Sequence, residues 1–469
     1  MPAVQASHRG RLGVLGLWHL GCVTAACLAE AGNEVVGVDP DTRIVAELVQ
    51  GRPPISEPGL GELISMCAPR LRFSADPQAL ADVACAWVTF DTPVDEDDSA
   101  DVDWVMQQAV QMLRALAPGA LVIVSSQLPV GSVAGLRQLC AASRGRDDLR
   151  FACVPENLRL GEALDAFRAP GRIVAGVQGE HDRRELGELL APFGGDVQWM
   201  SVESAEMTKH ALNGFLATSV AFINEIAVIC EAVGADAAEV SRGLKSERRI
   251  GQYAYLSPGD AFAGGTLARD IGFLRGLAER HRLPAYVFGG VADGNAAHKR
   301  WTERKLVELL GDEAHRREAG ASSSERPLAG RLVAVWGLTY KPGTDTLRRS
   351  SAVELCRRLT AAGANVRAHD PAVDALPDDL VGSVELCADP LAAAAGAEAV
   401  VVCTAWPAYR DIDAQSLVSV LKHPLVIDAA GFLAQTLGSE SRLRYSRVGS
   451  GRPARGHDAA ESSRQEAHP

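Results

Sequence analysis

The sequence predicts an α/β protein: two Rossmann-like doubly wound domains joined by a long central helix and a small helical domain. Three observations predict it. Short β-branched runs alternate with helical segments over residues 11–200, as in a parallel sheet covered on both faces. A second such series follows residue 328. Between them, Glu203–Val233 runs without proline, carrying only Gly214 inside and apolar residues at helical spacing, which predicts one long helix. At 469 residues the chain exceeds the ~250–300 at which a single core stops growing, so several domains are expected.

Taken in order, Arg11–Leu15, Glu34–Val38, Cys85–Thr89, Leu121–Ser125, Arg150–Val154 and Arg172–Val177 read as strands of a first domain, 1–200. Arg9 and Arg11 ahead of the apolar run Leu12–Ala29 could suggest a secretory leader. That run is split by Gly13, Gly16 and Gly21 and continues into Glu34–Asp39, as a strand–turn–helix–strand unit would. A helical domain is expected over 201–312, and 313–327, rich in charge, Ala, Gly and Ser, reads as a linker. The second Rossmann-like domain, 328–446, has strands at Arg331–Trp336, Asn365–Ala368 and Ala399–Cys403 and a helix at Ser351–Ala362. Polar, Gly/Ser-rich 447–469 is expected to be disordered.

A net charge of −12 argues against nucleic acid or an anionic membrane as partner, since both demand a basic footprint. The apolar stretches are short or broken, so no membrane span is expected. The ten cysteines show no C-x-x-C pair and no Cys/His ligand spacing, so neither a disulfide framework nor a metal site is expected, and a reducing cytoplasm fits.

The first strand–turn–helix offers a cofactor site. Gly13, Gly16 and Gly21 are placed for a tight turn and close helix packing, with Leu20 in the helix's first turn. The helix N-terminus would receive a pyrophosphate. Asp39, closing the second strand, would accept the adenosine ribose hydroxyls and repel a 2′-phosphate, favouring NAD. Trp18 stands where the middle glycine of such a turn lets the backbone approach the pyrophosphate.

From Gly13 to about Tyr409 several separate motifs occur in order. They are Glu57-Pro58-Gly59-Leu60, Thr92-Pro93, Ser126-Gln127-Leu128-Pro129-Val130-Gly131-Ser132 and Pro155-Glu156-Asn157-Leu158-Arg159-Leu160-Gly161. Lys209 and Asn213 follow four residues apart, on one helix face, and then Phe262-Ala263-Gly264-Gly265-Thr266-Leu267-Ala268-Arg269-Asp270. Gly337-Leu338-Thr339-Tyr340-Lys341-Pro342, with Thr344-Asp345-Thr346-Leu347-Arg348, opens the last domain. In these the chain resembles the UDP-glucose/GDP-mannose dehydrogenase family. The resemblance implies NAD-dependent oxidation at C6 of a nucleotide-diphospho-sugar, a homodimer formed through the long helix, and specific roles for individual residues.

By that resemblance Thr92, Gln127 and Glu156 join the cofactor site. Lys209 and Asn213 form an oxyanion pair, a cation with an amide donor. Asp270 and Glu156 handle protons or water. Leu158, Arg159, Tyr255, Gly264, Gly265, Lys341 and Arg348 contact the substrate, the last two through its diphosphate. Ordinary surface charge would equally explain Lys341 and Arg348, and Glu206 could pair with Lys209 on a solvated helix face.

Thr266 stands where the family has its nucleophilic cysteine. A hydroxyl is far less acidic than a thiol of pKa ~8.5 and needs a dedicated base. Four readings stay open: the reaction stops at the aldehyde; the hydrated aldehyde gives the second hydride; Cys153 replaces the nucleophile; or the chain binds the sugar nucleotide without turning it over. A smaller 3-hydroxyacid-type dehydrogenase shares the helical Lys-x-x-x-Asn pair but needs no domain after residue 325.

Overall fold

The computed structural model describes residues 11–93, 100–143, 145–156, 158–263, 265–310 and 326–451. The chain forms two compact units that divide inside the central helix, one running up to Leu212 with Gly276–Arg282, the other comprising Asn213–Arg275 and the chain from Leu283.

The first unit holds an eight-stranded sheet: β1 (Arg11–Leu15), β2 (Val35–Val38), β3 (Leu71–Ser74), β4 (Val83–Val88), β5 (Leu121–Val124), β6 (Arg150–Cys153), β7 (Arg172–Gly176) and β8 (Asp196–Met200). Their order is β3-β2-β1-β4-β5-β6-β7-β8, reversing beside β1 as in a doubly wound fold. The central strands are buried along nearly their whole length, so both faces are covered, which is why they read as continuous apolar runs rather than alternating ones. The expected parallel arrangement has one exception, an antiparallel pairing of β6 with β7 through Cys153 and Gly176. β3 and β8 were not expected: Leu71–Ser74 and Asp196–Met200 are edge strands, half exposed and without a continuous apolar run.

The central helix, Val202–Val233, has 32 residues. The sequence expected this long helix but no membrane span, whereas by length and composition alone the helix is long and apolar enough to cross a membrane. Glu206, His210, Asn213 and Asn224 on it are nonetheless buried, and each is hydrogen-bonded within the protein.

The second unit carries a six-stranded parallel sheet, β9 (Leu332–Trp336), β10 (Asn365–His369), β11 (Val384–Leu386), β12 (Ala399–Val402), β13 (Leu425–Asp428) and β14 (Arg444–Ser446), ordered β11-β10-β9-β12-β13-β14. Residues 447–451, expected to be disordered, are held. Arg447 donates to Asp236 at 2.6 Å, the Gly449 N–H donates to Glu231, and the Gly449 carbonyl accepts from Ala237 N–H. The rest of that expected tail, and most of the expected linker, lie outside the described residues.

Candidate active site

β1 ends at Leu15 and the chain turns at Gly16, whose φ of +93° is the left-handed conformation that favours glycine. A Cβ at Gly21 would lie 1.8 Å from the Gly16 carbonyl oxygen, so the helix His19–Glu30 can sit directly on the turn only because that side chain is absent. The first N–H groups of a helix have no partner within it, a geometry suited to an anion, and Leu20 in this first turn is buried. Trp18 precedes the helix at φ −90°, outside the left-handed region, and is 43% exposed. Glycine at this position would therefore add clearance and no needed backbone freedom. Gly13, grouped with the turn in the sequence reading, lies inside β1 instead. A Cβ there would come within 3.0 Å of Leu80 and 3.1 Å of Val83, so Gly13 makes room for core packing and is not part of the phosphate turn.

Asp39 follows β2 and is 7% exposed. One carboxylate oxygen accepts the Leu17 N–H at 2.7 Å, the other the Asp41 N–H at 2.8 Å. An ionised carboxylate offers about four acceptor positions, which leaves two for ribose hydroxyls. Burial pushes this carboxyl up from its ordinary range against the pull of those two N–H groups. Thr92 donates to the Gln127 carbonyl at 2.7 Å, joining the chain beyond β4 to that beyond β5. The glycine turn, the helix N-terminus and the half-satisfied Asp39 fit an NAD.

On the central helix, Lys209 donates to the Glu156 carbonyl at 2.6 Å and stands 3.7 Å from its carboxylate. Glu156 also accepts the Leu158 N–H at 2.6 Å. Glu206 does not pair with Lys209; its buried carboxylate accepts the N–H groups of Gly131 and Val133, capping the helix Ser132–Ala142. Leu158 packs against the core of the first unit, and Arg159 is exposed. Glu57, quoted from the sequence without a role, is another buried carboxylate. It accepts from His19 Nε2 and the Gly161 N–H, each at 2.8 Å, and the Ala163 N–H at 2.9 Å. A lone glutamate before Pro58-Gly59 looks like a loop residue, and only the fold brings its three donors together.

In the second unit the Asn213 amide donates to Asp270, which is fully buried. Thr266 begins the helix Thr266–Arg280 and is exposed, following Gly265 at φ +103°. Gly264 lies outside the described residues. Tyr255 is 58% exposed, Arg348 exposed and Lys341 half-buried. Arg349, which the sequence did not single out, holds φ +61°, and its Nη1 lies 3.7 Å from where a Cβ of Gly265 would be. All ten cysteines are free. Cys153 is buried within a hydrophobic cluster of the first unit, and burial, with Glu206 nearby, raises its thiol far above its ordinary value, which suits a core residue better than a nucleophile. Burial likewise pushes Cys27, Cys85 and Cys356 up to about 12.

A left-handed glycine turn seated on a helix N-terminus, with an acid closing the next strand, defines the class of NAD-binding dehydrogenases. The comparisons are narrower. The profile of the UDP-glucose/GDP-mannose dehydrogenase family matches through its NAD binding domain at residues 10–194, its central domain at 203–297 and its UDP binding domain at 334–435. The chain is 34% identical to a UDP-glucose 6-dehydrogenase of Pseudomonas aeruginosa, across 97% of this chain and all of that one. It is 30% identical to UDP-glucose 6-dehydrogenase TuaD of Bacillus subtilis, across 91% and 93%. A UDP-glucose dehydrogenase structure from Pyrobaculum islandicum superposes with a TM-score of 0.79 at 30% identity, covering 95% of this chain and 99% of that one. The chain belongs to the UDP-glucose/GDP-mannose dehydrogenase family.

Proposed function

We propose that the chain oxidises the C6 hydroxyl of a UDP-glucose-type nucleotide sugar with NAD, by direct hydride transfer and without an enzyme-bound thioester. The observation that carries this reading is the helical turn bearing Lys209 and Asn213, each already oriented by a carboxylate-bearing residue, Glu156 and Asp270. Bound NAD supplies the hydride acceptor.

Lys209 and Asn213 hold the C6 oxygen. The Asn213 amide has two N–H groups, and one is committed to Asp270, leaving the other for the substrate. As C6 loses hydride and its hydroxyl loses a proton to Asp270 or Glu156, the ammonium and amide stabilise the negative charge that gathers on oxygen. Lys341 and Arg348 take the diphosphate, and Tyr255 and Gly265 are further substrate contacts. A hydroxyl such as that of Thr266 is a weak nucleophile beside a thiolate, and Cys153 is buried in the core of the first unit.

A binding-only role is the weaker reading, since the NAD turn is geometrically intact despite Trp18. A simple 3-hydroxyacid dehydrogenase would leave the UDP binding domain without a use.

The active form is a homodimer built on the central helix. Phe215, Phe222 and Ile229 recur every seven residues and are 67%, 46% and 52% exposed, an apolar stripe suited to a second copy.

The test is NADH formation with a panel of UDP-, GDP- and dTDP-hexoses, with and without iodoacetamide. NADH formation indifferent to alkylation is expected. Loss of activity on alkylation of a cysteine would overturn the thiol-free route, and no NADH with any sugar nucleotide would overturn the enzyme.

A further inference from the structure

Glu57 ties together two segments that the chemistry above treats separately. Its side chain is 1% exposed. On one side lies His19, first residue of the cofactor helix and neighbour of Trp18 in the turn. On the other lie Gly161 and Ala163, which end the loop that begins at Pro155 and carries Glu156. Gly161 has φ +92°, so its N–H is presented by a bend that favours glycine. Burial pushes the Glu57 carboxyl up, but the N–H groups of Gly161 and Ala163 and the His19 ring together outweigh it and hold it below the ordinary range. Because the ionised carboxylate only accepts, His19 Nε2 carries the hydrogen.

Three donors converge on one buried acceptor, so none can leave without becoming an orphan or stranding the charge. Lys209 is bound to the Glu156 carbonyl, so the placement of this loop also sets the placement of the ammonium.

We propose that Glu57 is a positioning residue that couples the cofactor turn to the catalytic loop, so that NAD seated on the helix N-terminus orders Glu156 and Lys209. This rests on the NAD reading, and the test separates the two. Backbone hydrogen exchange of Leu158–Leu164 is measured on the full chain with and without saturating NAD, beside a direct NAD titration. In the wild type, NAD slows exchange of this segment about 10-fold, a typical coupling between two sites. His19→Phe keeps the two backbone bonds to Glu57 and removes the link. It still binds NAD, loses most of the NAD-dependent protection, and loses kcat more than it raises KM for NAD. His19→Gln restores an N–H donor and recovers most of both. Glu57→Gln turns an amide donor toward the Gly161 and Ala163 N–H groups, and breaks the coupling by a second route should His19→Phe not fold.

NAD binding by the wild type without loop protection, or full protection in His19→Phe with NAD bound, overturns the coupling. No NAD binding by the wild type overturns the cofactor reading itself.

Discussion

The two sheets repeat one local construction and use it differently. In each, the first strand ends on a glycine in the left-handed region, Gly16 at +93° and Gly337 at +90°. In each, that glycine's N–H donates to the end of the next strand, and an aspartate just beyond accepts the N–H of the residue after the glycine: Leu17 to Asp39 at 2.7 Å, Leu338 to Asp370 at 2.6 Å. The difference lies in what else reaches the acid. Asp370 also accepts from Thr339 N–H, Thr339 Oγ1 and Trp406 Nε1 on the same oxygen and from Ala372 N–H on the other, so one of its oxygens is crowded with four donors. Asp39 keeps half of its acceptor capacity. In the first sheet the helix starts at once, at His19; in the second it starts only at Ser351, after a loop that carries Lys341, Arg348 and Arg349. Of the two acids, only Asp39 combines open acceptor positions with a helix N-terminus beside it, the arrangement expected of a cofactor contact.

The largest expected effect is at Gly21. In Gly21→Ala the new Cβ meets the Gly16 carbonyl, the helix must leave the turn, and saturable NAD binding should vanish in a titration. A Gly21→Ala protein that binds NAD normally would break the contrast with the second sheet, whose helix tolerates Ser351 and Ala352 at its start.

Next comes the exchange of the two acids. Asp370→Asn places an amide among donors and should cost about 2–3 kcal/mol of stability, read as a lower Tm, with NAD affinity unchanged. Asp39→Asn should weaken NAD about 10–100-fold, since one or two hydrogen bonds to ribose are at stake. Equal loss of NAD affinity in both would erase the distinction.

Protonation sharpens it further. Burial sets the folded-state pKa of Asp39 above the ordinary value despite its two backbone bonds, so the stability it contributes is present at low pH and lost as pH rises through that raised pKa. Ribose binding needs the ionised form, so the sign is opposite: NAD affinity should fall on acidification from neutral pH, earlier than for an ordinary carboxylate. In Asp39→Asn this dependence should disappear. The smallest effect belongs to Trp18→Gly, which should change the Kd for NAD by less than about 5-fold, because Trp18 strains no backbone and glycine costs under about 1 kcal/mol in flexibility.

Much of this was legible in the sequence where burial is continuous. Most strands covered on both faces, and the long helix, announced themselves as apolar runs or as helical spacing without proline. β3, β8, β11 and β14 did not, because short edge strands carry half-exposed residues, and β13, an interior strand buried throughout, was missed as well. At the candidate site, Gly16 and Gly21 were marked by their spacing at the first turn, Asp39 by its place after the second strand, and Lys209 and Asn213 by their spacing along one helix. Gly13 was misplaced because spacing cannot distinguish a glycine that admits Leu80 from one that admits a phosphate. Glu57 and Glu206 were missed or mispaired because their partners lie 38 to 106 residues away, which only the fold brings within reach.

The central claim is that this chain performs the family's oxidation without the thiol chemistry that Thr266 removes. The most direct measurement is acid-quenched intact-protein mass spectrometry during turnover with NAD and a UDP-hexose, beside the NADH count per sugar. The expected result is NADH, one per sugar for an aldehyde product or two for an acid, with no sugar mass added to the protein at any time. A sugar adduct trapped on a cysteine, or the absence of NADH with every nucleotide sugar offered, would contradict it.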